Sequence, residues 1–250
     1  MFAMYSAWRP GCQFGRNRVL RFWGKVIVCL LAATLPLLPI IANAGPSGTI
    51  EQASNGTSSL PISPVDWVNG NITERKAHFV EGHSIPFRLV VTGLSNGTHR
   101  VLIGWDTRNS GRYAMDYLTH FDRLLPHDQF GSHTVAETVS PLRGLSGSFG
   151  APGTFPVPAP SGMDSPAPGQ PAASFGSLPA TERAFTIYNG EITNAEYVDE
   201  ESLTNTLAQT VMAIDFTASN STVVILFGGR IAAKKDWGSG TTASGVATSP

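Results

Sequence analysis

The chain has 250 residues, 42% of them hydrophobic, with 17 basic and 18 acidic side chains. The first 44 residues carry Arg9, Arg16, Arg18, Arg21 and Lys25 and no acidic group, so without them 12 basic residues face all 18 acidic ones. That acidic balance argues against a nucleic-acid partner. Both cysteines, Cys12 and Cys29, lie in the same segment, which leaves the remainder with no thiol for a disulfide, a Cys-ligated zinc site or a cysteine nucleophile.

The amino-terminal segment, 1–44, reads as an export signal. After the basic start, an apolar stretch from Val26 to Ile41 ends in Ala42-Asn43-Ala44, the small-x-small pattern read by a signal peptidase, so cleavage is expected after Ala44. The stretch contains Pro36 and Pro39 and is shorter than the ~20 residues of a membrane span, so membrane contact is expected only through this transient segment. Lipidation at Cys29 is not expected, because the apolar run continues beyond it. A secreted, extracellular or cell-surface location follows.

Residues 45–64 are rich in Gly, Ser, Thr, Asn and Pro and read as a flexible tether. Order is expected from Val65 or Trp67, with a short strand at Ala77–Val80. Ile85, Phe87, Leu89 and Val91 then alternate with Ser84, Pro86, Arg88 and Val90, and Arg100–Trp105 follows after Ser95-Asn96-Gly97-Thr98. Period-two runs separated by Asn-Gly predict a β-hairpin. Ala114, Tyr117, Leu118, Phe121 and Leu125 fall at helical spacing and predict one short capping helix ended by Pro126.

From Pro141 to Pro179 the chain holds nine prolines, a composition that predicts an irregular excursion or linker, with Phe149, Phe155 and Phe175 favouring docking on the folded part. Phe185 and Ile187, then Asn189-Gly190, then Ile192 and Tyr197 predict a second hairpin. Met212, Ile214 and Phe216 share a strand face, and Val223–Phe227, apolar at every position, predicts a central strand covered on both sides. The fold class is therefore mainly β: an antiparallel β-sandwich over 65–237 with one short helix and a Pro/Gly-rich insertion at 141–180, or alternatively a β-barrel. Residues 238–250 read as a flexible tail, or as the start of a linker to a downstream module.

Chemistry is sparse. All six histidines, at 78, 83, 99, 120, 127 and 133, lie in one span with Glu81, Asp106, Asp116, Asp122 and Asp128, and His78, His83, Asp106, Asp116 and His120 are the candidate metal ligands. Asp116 and His120 would be neighbours on the predicted helix. His78-Phe-Val-Glu81-Gly-His83 is not a helical zinc pattern, and loop polarity or a solvated helix face explains these residues without a metal. Gly144-Leu-Ser146-Gly147-Ser148 lacks the spacing of a hydrolase elbow, and no phosphate-binding glycine pattern occurs. No cofactor and no catalytic residue is expected. Asn55, Asn71, Asn96 and Asn220 head Asn-x-Ser/Thr triplets, glycan acceptors only in a eukaryotic secretory pathway; the absence of disulfides favours a bacterial source.

Trp67-Val-Asn-Gly-Asn71, His78-Phe-Val-Glu-Gly-His-Ser-Ile-Pro-Phe-Arg88, Gly104-Trp-Asp106, Asp116-Tyr-Leu-Thr-His-Phe-Asp-Arg123 and Phe227-Gly-Gly-Arg-Ile231 resemble a group of uncharacterised bacterial exported proteins. In that group a signal peptide precedes an Ig-like or prealbumin-like β-sandwich. The resemblance implies a cell-surface setting and brings no catalytic residues with it. The expectation is a secreted or surface-displayed structural or adhesion module with extracellular protein or glycan ligands. The alternative is a metal-dependent extracellular hydrolase using the His/Asp cluster between residues 78 and 133.

Overall fold

The computed structural model describes residues 5–7, 45–123, 137–161 and 171–242. Two antiparallel sheets face each other. The larger runs β3 (Leu60–Asn69), β2 (Ser47–Thr57), β4 (Ser84–Thr92), β12 (Thr222–Ile231), β9 (Ala184–Tyr188) and β8 (Gly153–Pro156), in that order. β7 (Met115–Thr119) pairs with the last part of β12, beyond the residues that β9 occupies. The smaller sheet runs β1 (Tyr5–Ala7), β5 (Gly97–Asn109), β11 (Ala208–Ala218) and β10 (Gly190–Glu200), with β6 (Arg112–Tyr113) folded back on β5. Among the described residues the two ladders share no strand, which makes the architecture a sandwich.

β4 and β12 form the centre. Ile85, Phe87, Leu89 and Val91 all point into the main core, as the alternation requires. β12 is buried from Val223 onward: Val223, Ile225 and Phe227 enter the main core, while Val224 and Leu226 enter a second cluster on the outer face. Val139, Leu142, Leu145 and Phe149 cover that outer cluster, so the proline-rich excursion is the second cover that an all-apolar strand needs. The same segment buries Arg88, whose Nη1 donates to the carbonyls of Pro141 (2.9 Å) and Arg143 (2.8 Å) while Nε donates to Glu51 (2.8 Å). Phe155 packs on the main core from the edge strand β8, and Phe175, in α1 (Ala172–Gly176), meets Tyr117 edge-on at 5.2 Å. β8 also corrects the expectation of a wholly irregular excursion. It places Pro156 at a sheet edge, where proline is tolerated.

Three further expectations are corrected. Residues 45–64 are not a tether: Ser47–Thr57 lies between β3 and β4, and its small side chains Ala53, Ser54 and Asn55 are buried there. Neither Asn-Gly turn makes a hairpin, because β4 and β9 belong to the larger sheet whereas β5 and β10 belong to the smaller one. The chain does turn there, with positive φ at Gly97 and Asn189, but it arches from one sheet to the other. The two-residue hairpin with positive φ at both positions is Ser110-Gly111, between β5 and β6.

The third correction concerns Met115–Thr119, which is a strand and not the predicted capping helix. The apparent polar helix face misled: Asp116 and Thr119 are buried, the first by Arg230 and the second by a 2.7 Å hydrogen bond to Ser84. Among the described residues the helices are α1 and α2 (Lys234–Trp237), with one 3-10 turn at Ala180–Glu182. Ala77–Val80 joins no ladder. The expected signal segment apart from β1, His127, Asp128, His133 and residues 243–250 lie outside the described residues. No helix among the described residues is long and apolar enough to cross a membrane.

Candidate functional site

The site begins with Gly228-Gly229. A Cβ on Gly228 would come within 2.5 Å of Thr119 Oγ1, and one on Gly229 would collide with Met115 Sδ, so only glycine lets β7 lie this close to β12. That approach sets Asp116 beside Arg230. Arg230 Nη1 donates to Asp116 Oδ2 and Nη2 donates to Asp236 Oδ2, forking between two carboxylates. Trp237, at the end of α2, donates its indole N–H to Asp116 Oδ1 at 2.9 Å. One face of the indole is stacked on Tyr113, with centroids 3.6 Å apart.

Burial raises the Asp116 carboxyl to about 6, against the Arg230 charge and the Trp237 hydrogen bond, which pull it down. The buried Asp116 forms the floor of a cavity of about 330 Å³. Thr210, Tyr197 and Trp237 stand in its walls, and apolar surface comes from Met115, Val198 and Leu203. Asp199, Glu200 and Glu201, all exposed, form the rim. Two of these are tied to backbone: Glu200 accepts from the Ser161 amide (3.2 Å) and Glu201 from the Gln209 amide (2.8 Å). The Tyr197 hydroxyl is enclosed and has no hydrogen-bond partner among the described residues, and burial raises its pKa.

The five candidate ligands do not meet. His78 is buried with Glu137: its Nε2 lies 2.8 Å from Glu137 Oε1 and its Nδ1 lies 2.7 Å from the Gly56 carbonyl. Both ring nitrogens therefore lie against acceptor oxygens. Asn55 Nδ2 donates to the same Glu137 oxygen (3.1 Å), and its Oδ1 accepts from the His78 amide, so this Asn-x-Thr asparagine is sealed inside. His83 is held by its backbone, its carbonyl accepting from Ile231. Asp106 accepts from Asn109 and Gln209, each at 3.0 Å. His120 accepts the Asp122 amide at Nδ1 and sets Nε2 3.3 Å from Thr186 Oγ1; burial lowers its pKa. Only Asp116 reaches the cavity. Among the described residues no three His, Cys, Asp or Glu side chains are placed to hold a metal ion together.

No family model, curated protein or solved structure matches this chain.

Sequence reasoning passed over Arg230, Trp237, Tyr197 and the rim. Two signals pointed there. An arginine directly after Gly-Gly in an otherwise apolar strand needs a buried counter-charge, and Asp199-Glu200-Glu201 concentrates like charge where β10 ends.

Proposed function

We propose that the chain is a secreted or surface-displayed β-sandwich module of structural or adhesive role, without catalysis, which holds an extracellular ligand at the Asp116 cavity. The observation that carries this reading is the fixed state of the polar groups there. Asp116 is clamped by two donors, and two of the three rim carboxylates are tied to backbone amides. Such groups are preorganised for recognition. The hydrolase alternative needs His78, His83 or His120 to converge with Asp106 or Asp116, and among the described residues these five make separate contacts.

The test uses glycan and extracellular-protein arrays probed with the protein and with Val198→Trp, which fills the cavity from a half-exposed wall position. Array ligands whose signal falls at least tenfold with the variant support the reading. Equal signals for both proteins place recognition elsewhere and end it. The export part is tested separately, by amino-terminal sequencing of the product recovered outside the cell. A start at Gly45 is expected, and a retained Met1 overturns it.

A further inference from the structure

We propose that the cavity over Asp116 binds a protonated alkylamine, the ammonium lying among the carboxylates and the methylene chain against the apolar wall. The inference rests on the binding-module reading above and names the ligand chemistry of that same site. Four side chains lining the cavity are carboxylates, Asp116, Asp199, Glu200 and Glu201, and no lysine, arginine or histidine lines it among the described residues. Arg230 neutralises part of the Asp116 charge from behind, but it is only 3% exposed and is shared with Asp236. Among the described residues the rim charges have no such cation. Among the described residues Glu200 and Glu201 take neutral backbone donors, and the cavity walls exclude part of the water that would screen them.

A second observation is independent of charge. Tyr197 lines the cavity, and its hydroxyl is enclosed behind that wall without a hydrogen-bond partner among the described residues, although a buried hydroxyl normally has one. A ligand whose N–H or amide group displaced this part of the wall would supply the missing partner. The wall chemistry then separates the ligand classes. An anion meets four carboxylates. A sugar needs a broad open aromatic platform and free donors for its hydroxyls, whereas Trp237 is only 8% exposed and its indole N–H is already given to Asp116. A bare divalent ion needs three convergent ligands, which the carboxylates do not provide. An alkylammonium uses all the features present: carboxylates for the head, the Trp237 ring for cation–π attraction, and Met115, Val198 and Leu203 for the stem. A volume of about 330 Å³ holds a chain of the size of a lysine side chain with room for water.

The ammonium can arrive on a free diamine or on a lysine of a protein. Calorimetric titration with 1,5-diaminopentane and with an end-blocked Gly-Lys-Gly peptide separates the two sources, with 1-pentanol and glutarate as the neutral and anionic controls. The expected result is binding of at least one amine at low salt, weakened at least tenfold in 0.5 M salt as ~3–4 Å screening sets in, and weakened at least tenfold by the triple variant Asp199→Asn, Glu200→Gln, Glu201→Gln. Tighter diamine points to a free polyamine, and tighter peptide to a protein-borne lysine; both support the proposal. The rim residues are exposed, and far-ultraviolet circular dichroism of the triple variant separates lost binding from lost folding. No amine binding, equal binding of pentanol, or amine binding that the triple variant leaves unchanged overturns the proposal. If it is overturned while array ligands still respond to Val198→Trp, the amine assignment falls and the binding-module reading stands.

Discussion

Two buried contacts between a basic and an acidic side chain, Arg230–Asp116 and His78–Glu137, are nearly equal in burial and opposite in setting. Among the described residues, His78 and Glu137 are packed against Asn55 and the Gly56 carbonyl inside the fold. Arg230 and Asp116 are as deeply buried, with side chains 3% and 2% exposed, yet Asp116 forms the floor of a cavity rimmed by uncompensated charge. Burial of a charge is thus no mark of function by itself. The mark is a buried charge whose surroundings leave space and potential for something else.

Mutation should separate the two pairs, the sealed one responding more strongly. Glu137→Ala removes the buried acceptor shared by His78 and Asn55 and is expected to cost about 3–5 kcal/mol, the range for a broken buried pair, measured as a lowered urea midpoint. Asp116→Ala should cost less, about 1–3 kcal/mol, because Arg230 keeps Asp236. A larger loss for Asp116→Ala than for Glu137→Ala would remove the distinction drawn between them.

The pH response is smaller and opposite in sign to the usual carboxylate. Asp116, raised to about 6, binds its proton more tightly when folded than when unfolded. Its contribution to stability is therefore fully present below the unfolded value of about 3.9 and is lost as pH rises through about 6. Asp215 behaves the other way: the hydrogen bonds and charge of Arg100 hold it low, so its contribution is present above the ordinary carboxylate range and is lost as pH falls. The groups facing Asp116 are Arg230, Asp236, Trp237 and Tyr117. Since Trp237 donates to Asp116, tryptophan fluorescence should show a transition near pH 6 that Asp116→Asn abolishes. A transition that survives in Asp116→Asn would assign it to another group. The smallest stability effect is expected at the rim, where Glu200→Gln should change unfolding free energy by no more than ~0.5 kcal/mol while weakening amine binding.

Residues whose surroundings are set by composition were readable in advance. The unbroken apolar run Val223–Phe227 demanded two covers and has them, and Phe149, Phe155 and Phe175 in a proline-rich stretch demanded docking sites. What escaped was anything decided across the chain. Asn96-Gly97 and Asn189-Gly190 report a local reversal, but whether the next strand joins the same sheet depends on which distant strand already occupies that edge. Asp116 looked solvent-facing because its counter-charge lies 114 residues away. The cavity had only the acidic run and the Gly-Gly-Arg sequence to announce it.

The ladder between β4 and β12 has a kinetic consequence. Ile85 is paired with Gly229 and Val91 with Val223, so the centre of the larger sheet joins segments separated by most of the chain. Closing so long a loop precedes any gain from the ladder, which makes folding slow relative to chains with local pairing. During synthesis β4 has its β2 neighbour but not its β12 neighbour until nearly all the described residues have been made. A polypeptide that cannot complete its core early stays unfolded for longer, and under the export proposed above that delay would keep the chain threadable.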